Sequence, residues 1–259
     1  NVLTGVSLSG DKYTYQNPLN TDKPDRWEWH VCPCCPPMFL KIMAAMPGYI
    51  YAYQGDNVYV NLFIGSEVRV PVGKSNSVRL KQLTSYPWHG AVSIQVNPDK
   101  ASTFSMKVRI PGWAQGTENP YDLYQSNLKA PVKLKVNQED VLLRIVDGYA
   151  EINREWKKGD HIELELPMQP RLITANKAVE NLRGQVALAS GPIIYCFEDA
   201  DNPELQTFKL QAQTPLELSH DSNLLNGVNI IKCQGDIPAK AIPYYAVANR
   251  EESHSYKVW

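Results

Sequence analysis

The chain has 259 residues, with 26 Lys and Arg against 27 Asp and Glu, a net charge of -1. That balance gives no electrostatic footing for nucleic acid or an anionic membrane surface. No apolar run approaches the roughly 18–20 residues that a bilayer-spanning helix needs, and nothing at the start has the form of a secretory signal. The length suffices to bury a sizeable core in one or two domains. The opening Asn1-Val2-Leu3 lacks a Met, which suggests processing or missing upstream sequence.

Residues 1–30 show little periodicity. Gly5, Gly10-Asp11, Asn17-Pro18 and Pro24-Asp25 mark turns, and aromatic residues are dense: Tyr13, Tyr15, Trp27 and Trp29. Then comes Trp29-His30-Val31-Cys32-Pro33-Cys34-Cys35-Pro36-Pro37, which holds three of the chain's five cysteines within four positions. It precedes an apolar run, Met38 to Met46, that Pro47-Gly48 is expected to stop. Prolines are tolerated in a first helical turn, whose N–H groups have no intrahelical partner. The run therefore predicts a helix with the cysteines at its N-terminal flank, where the dipole favours thiolate over thiol. Only Lys41 is charged in those nine residues, so the helix is expected to be buried on most faces. A helix this short needs a packing partner, and the sequence after it offers none that is helical.

From Val58 the period changes to two. Residues 58–64, 67–72, 78–83, 92–96, 104–110, 132–136, 141–146, 149–152 and 162–166 predict strands, separated by turns such as Asn97-Pro98-Asp99 and Lys158-Gly159-Asp160. Many short strands with regular turns predict an antiparallel β-sandwich. Residues 175–182 suggest a short helix before Gly184, strands resume at 186–190 and 193–197, and 198–227 read as a loop excursion. Short strands return from Val228. The expected fold is thus mainly β, with one short helical segment before it. The divisions fall at 1–53, 54–170 and 171–259.

An odd number of cysteines, three of them crowded together, argues against a disulfide framework, and Cys196 and Cys233 read as buried small hydrophobes. For Cys32, Cys34 and Cys35 two chemistries stand open. Thiolates are preferred zinc ligands, though a structural site usually needs four, with His30 a weak local candidate for another. A cysteine at a helix start can instead be an activated nucleophile. Glu28 is the nearest carboxylate for acid–base work on a glycoside, and the aromatic residues around it could stack on sugar rings. The alternative is a non-catalytic β-sandwich module that binds carbohydrate, or one held together by a structural zinc–cysteine cluster.

Residues 8–19, Leu8-Ser9-Gly10-Asp11-Lys12-Tyr13-Thr14-Tyr15-Gln16-Asn17-Pro18-Leu19, resemble the L-x-G-[DK]-x-[FY]-[FY]-Y-x-N-P-L segment of the β-L-arabinofuranosidase family, glycoside hydrolase family 127. Trp29 followed at the family's spacing by Cys34-Cys35-Pro36-Pro37 resembles its W-x4-C-C-P-[PAS] segment. Tyr86-Pro87-Trp88, Arg109-Ile110-Pro111-Gly112-Trp113, Ala189-Ser190-Gly191-Pro192 and Ile242-Pro243-Tyr244-Tyr245-Ala246 with Asn249-Arg250 continue the match. The resemblance implies an (α/α)6 barrel followed by β-sandwich domains, of which this chain looks like the C-terminal part from the last barrel segment onward. It implies retaining hydrolysis of β-L-arabinofuranosides or related plant-polysaccharide sugars by a Zn2+-bound cysteine thiolate. In those terms Cys34 is the nucleophile, Cys34 and Cys35 are metal ligands with Cys32 as a further candidate, and Tyr15 contacts the sugar, with Trp29 as a second candidate. The family's acid/base glutamate and its other zinc ligands precede the tyrosine segment. This chain alone is therefore expected to be inactive and to need its upstream barrel region or a partner chain. Bacterial cytoplasm and periplasm are both compatible with it.

Overall fold

The computed structural model describes all residues except 1–4, 25, 29, 30, 32–34 and 236, and Cys35 and Pro36 are described by their backbone alone. The chain forms two compact units. One gathers residues 41–116 and 129–168; the other gathers 1–40, 117–128 and 169–259.

The first unit is built from two sheets. The larger has six strands in the order Glu139–Asp140, Lys133–Val136, Asp160–Glu165, Ala91–Pro98, Asn76–Thr84 and Ser66–Val72, all antiparallel. The smaller has five: Ile145–Val146, Tyr149–Trp156, Ser102–Arg109, Asn57–Val60 and Tyr51–Gln54. Its single parallel pair joins Asn57–Val60 to Ser102–Arg109. Alternation puts Val78 and Leu80, Val92, Ile94 and Val96, and Ile162 and Leu164 on one buried face of the larger sheet. Register brings Ile94 opposite Ile162 and Val92 opposite Leu164, so the buried side chains pair across strands. Phe104, Met106 and Val108 supply the buried face of the smaller sheet with Ala150, Ile152 and Trp156. The indole N–H of Trp156 donates to the Phe104 carbonyl at 3.1 Å, which satisfies the one polar atom of a fully buried ring. These are sheets wet on one face and dry on the other, as period-two patterning predicts. The predicted strand at 141–146 is instead broken. Glu139–Asp140 belongs to one sheet and Ile145–Val146 to the other, so this stretch carries the chain between the two.

The second unit is organised on one nine-stranded sheet among the described residues. Its main path runs Leu216–Asp221, Val228–Cys233, Ala239–Pro243, Ile193–Glu198, Val186–Ser190, Arg171–Ala175 and Tyr124–Ser126, with Tyr256–Lys257 joining Ile193–Glu198 to Asn20–Thr21. Both faces of this sheet are buried. Ile173, Ala187, Ala189, Cys196, Ile230 and Ile242 pack on one side, and Leu172, Leu188, Tyr195, Phe197, Ile231 and Ala241 on the other. That explains why its central strands, Val186–Ser190 and Ile193–Glu198, read as continuous apolar runs rather than alternations.

Four further sequence expectations need correction. The helix expected at 175–182 does not form: Ala175 ends the strand Arg171–Ala175, and a turn and one 3-10 turn, Glu180–Leu182, follow it. Arg171 forms a buried bidentate pair with Glu118, at 2.6 and 2.8 Å, and the Asn176 side chain accepts the Ala178 N–H at 3.0 Å, which supports a turn rather than a helix. Inside the presumed loop excursion lies the strand Leu216–Asp221. The cysteine-flanked helix forms, as Cys35–Ala45, but Pro47 does not end the helical path: after a turn at Met46, Pro47–Ile50 makes a further short helix. Nor is the first helix buried on most faces. Leu40 is 66% exposed, Met38 52%, Met43 47% and Ile42 43%, because no described element covers them.

Candidate active site

The aromatic segment at the start is held by local pairing. Tyr13 bridges Val6 on one side and Trp27 on the other, and Tyr13 and Trp27 exchange both backbone hydrogen bonds, at 2.9 and 2.8 Å. The tight reversal that permits this has Gly10 in the left-handed region, φ 77°. One consequence is that the rings of Tyr15 and Trp27 lie nearly parallel, 11° apart, with centroids separated by 6.4 Å. Both side chains are half-buried. Flat aromatic surfaces of this kind suit the apolar face of a sugar ring.

This segment is fastened to the sheet of its own unit by long-range hydrogen bonds. The hydroxyls of Tyr244 and Tyr256 both donate to the Pro18 carbonyl, at 2.9 and 2.8 Å. Asn20 accepts the Val258 and Trp259 N–H groups through its side-chain oxygen, at 2.8 and 3.1 Å. Arg26 donates to the carbonyls of Ala248 and Val247 at 3.0 and 2.8 Å, and the Leu8 N–H donates to the Asn249 side chain at 2.8 Å. Burial lowers the pKa of the Arg26 guanidinium, opposed by Tyr256, Glu198 and Tyr244.

Of the residues the sequence singled out, Tyr15 is therefore placed, stacked on Trp27. Cys32, Cys34, Trp29 and His30 lie outside the described residues. Cys35 is the first residue of the helix Cys35–Ala45, so the backbone there is the helix N-terminus that the prolines predicted. Glu28 is exposed. Among the described residues no three His, Cys, Asp or Glu side chains are grouped to hold a metal ion, and the cysteine cluster is outside that comparison. Cys196 and Cys233 are buried free thiols. Burial raises the pKa of Cys196, with Glu198 adding to the effect, and burial pushes Cys233 up to about 12, so both are inert hydrophobes.

Sequence reasoning missed the polar cluster behind the aromatic segment: Glu198, Asp201, Lys240 and Arg250. Burial works to raise the Asp201 carboxyl, but hydrogen bonds from Arg250 and Lys240 outweigh it and hold the pKa below the usual carboxylate value. Arg250 was visible as part of the closing Asn249-Arg250 motif. Its partners, Glu198 at a strand end and Asp201 in the turn after it, lie some fifty residues away and left no mark in the linear pattern.

Three family models match successive stretches of the chain. Residues 1–48 match the β-L-arabinofuranosidase GH127 catalytic domain, 57–168 the GH127 middle domain, and 170–259 the glycoside hydrolase family 127 C-terminal domain. A solved GH127 β-arabinofuranosidase superposes with a TM-score of 0.90 at 34% identity, covering 99% of this chain and 43% of that one. The chain belongs to glycoside hydrolase family 127. A family 127 β-L-arabinofuranosidase from Geobacillus stearothermophilus T6 gives a TM-score of 0.87 at 33% identity, over 99% of this chain and 44% of that one. The non-reducing end β-L-arabinofuranosidase of Bifidobacterium longum subsp. longum is 29% identical over 96% of this chain, which spans 42% of the length of that protein. Within family 127 terms, the catalytic-domain match contains Tyr15, the whole cysteine cluster and the first helix. The chain thus carries only part of the catalytic domain.

Proposed function

We propose that this chain is the C-terminal portion of a retaining β-L-arabinofuranosidase whose nucleophile is the thiolate of Cys34. The observation that supports this reading is the catalytic-domain match over residues 1–48, together with the helix that begins at Cys35, the residue after Cys34 in the sequence. The helix N-terminus favours the anionic form of a thiol next to it. The cysteine cluster suits zinc by donor chemistry, being three thiols within four positions, with Cys34, Cys35 and Cys32 as the residues that would hold it. Zinc, when bound, supplies a positive charge that keeps a coordinated thiol deprotonated at neutral pH.

The steps assigned to this chain are a double displacement. Cys34 Sγ attacks the anomeric carbon as the bond to the leaving oxygen breaks, and that oxygen takes a proton from a carboxylic acid. Water, deprotonated by the same carboxylate, then attacks the anomeric carbon, the C–S bond breaks, and the starting configuration returns. The carboxylate belongs to the upstream barrel region in this reading. Tyr15, stacked on Trp27, presents its ring to the sugar, and Trp29 is assigned to the same wall. Residues 1–53 would be the end of the barrel, 54–170 the β-sandwich, and 171–259 a second β-rich region.

The helix Cys35–Ala45 supports the same picture. Met38, Leu40, Ile42 and Met43 are exposed around the helix, which is unfavourable in water, and the rest of an (α/α)6 barrel is the occupant that would cover them. The test is hydrolysis of an aryl β-L-arabinofuranoside by the full-length protein, followed by NMR of the first-formed sugar. Release of the β anomer is expected. Release of the α anomer, or no hydrolysis, would contradict the proposal.

A further inference from the structure

Glu198 ends the strand Ile193–Glu198, and its side chain is fully buried, 0% exposed. A carboxylate in that position must have its lone pairs occupied. One oxygen accepts the Ala248 N–H at 2.7 Å, and the other accepts Arg250 Nε at 3.0 Å. Arg250 Nη2 also donates to Glu198 and reaches Asp201 at 2.6 Å, and Asp201 takes Lys240 Nζ at 2.5 Å. Arg250 thus sits between two carboxylates, Glu198 and Asp201, and Lys240 caps the second.

The network fixes the loop after the short 3-10 turn Tyr244–Ala246. Ala248 has φ 55°, in the left-handed region that a residue with a Cβ rarely adopts, so its conformation must be imposed by its surroundings. The bond from the Ala248 N–H to Glu198 does this. With that amide held, the carbonyls of Val247 and Ala248 turn to Arg26, and Asn249 takes the Leu8 N–H while donating to the Ala246 carbonyl at 2.8 Å. Arg26 directly precedes Trp27, whose backbone is paired with Tyr13 and whose ring stacks on Tyr15. A continuous path therefore runs from a buried carboxylate in the C-terminal sheet to the aromatic residues at the start of the chain.

We propose that Glu198 and Arg26 are positioning residues for sugar binding: Glu198 sets the 247–249 loop, the loop holds Arg26, and Arg26 holds the Trp27–Tyr15 pair in its stacked geometry. This rests on the arabinofuranosidase reading for the identity of the sugar, but the relay itself can be read without any substrate. Neither residue is assigned contact with the reacting atoms. Their loss should weaken binding and leave chemistry largely alone, since binding held by a displaced wall is lost in ground and transition states alike.

The experiment uses the full-length protein with Glu198→Gln and, because that change leaves Arg250 short of a partner and threatens folding, Arg26→Lys as a second variant. A lysine keeps the charge but cannot span two carbonyls as the guanidinium fork does. Hydrogen exchange of peptides within residues 5–28 should quicken by about tenfold or more in either variant, with the sandwich strands unchanged. On an aryl β-L-arabinofuranoside, KM should rise about tenfold with kcat within about threefold of wild type. Unchanged exchange in residues 5–28 of Arg26→Lys would overturn the relay, and so would a kcat loss without a KM rise. Failure of the wild-type protein to hydrolyse the glycoside would instead remove the arabinofuranosidase reading, while the exchange result still decides the relay.

Discussion

Gly90 stands immediately before the strand Ala91–Pro98, where its carbonyl accepts the Leu166 N–H at 3.0 Å. A Cβ added there would lie 2.0 Å from the Leu166 carbonyl oxygen and 3.0 Å from its carbonyl carbon, so backbone rather than a pliable side chain would have to move. Overpacking against backbone costs on the order of 3 kcal/mol. Gly90→Ala should therefore lower the stability of the sandwich unit by about that amount in chemical denaturation, and a loss under about 0.5 kcal/mol would contradict the packing described. Nothing in the sequence marks Gly90, since the contact is made with Leu166, far along the chain. Cys196 and Cys233 were legible because an isolated cysteine in an apolar run has one common fate. Tyr15 was half legible. The density of aromatic residues suggested a platform, whereas the parallel stack on Trp27 depends on a pairing between Tyr13 and Trp27 that no period reveals. The roles assigned to Glu198 and Arg26 belong to the same class, built from partners that only the folded sheet brings together.

At the scale of elements, alternation located the sandwich strands because each sheet buries one face, so the pleat writes itself into the sequence. The second unit leaves a weaker signature: Leu216–Asp221 is an edge strand with only partly buried or exposed residues and turns polar from Ser219, so it reads as loop, and Ala175 ends a strand where the sequence suggested a helix start. The helix Cys35–Ala45 shows the complementary case. Its start followed from the prolines and its composition predicted burial, yet Leu40 and Met43 face solvent in this chain. An apolar helical surface of this kind is a sticky patch. In the isolated 259-residue chain, Leu40→Lys with Met43→Lys should reduce self-association in light scattering without lowering the melting temperature. In the full-length protein the same pair should destabilise by about 2 kcal/mol or more, because the charges would then be buried against the barrel. Equal effects in both contexts would show that nothing upstream covers this face.

For the whole molecule, the division of labour follows from where the chemistry lies along the chain. Two β-rich units supply most of the buried core, yet the candidate nucleophile and sugar wall all fall within the first 48 residues, in the part matched by the catalytic domain. The C-terminal sheet does more than follow that segment: through Tyr244, Tyr256, Asn20 and Arg26 it fixes the aromatic stretch in place. Half of a site held rigidly is still half a site, so the isolated chain should not turn over glycosides. The central claim is that Cys34 is the nucleophile of the complete enzyme, and the most direct measurement is kcat/KM of full-length Cys34→Ala on an aryl β-L-arabinofuranoside, with the fold checked by its melting temperature. Removal of a covalent nucleophile should lower kcat/KM by about 10⁴-fold at unchanged melting temperature. A variant that stays within about threefold of wild type would contradict the account.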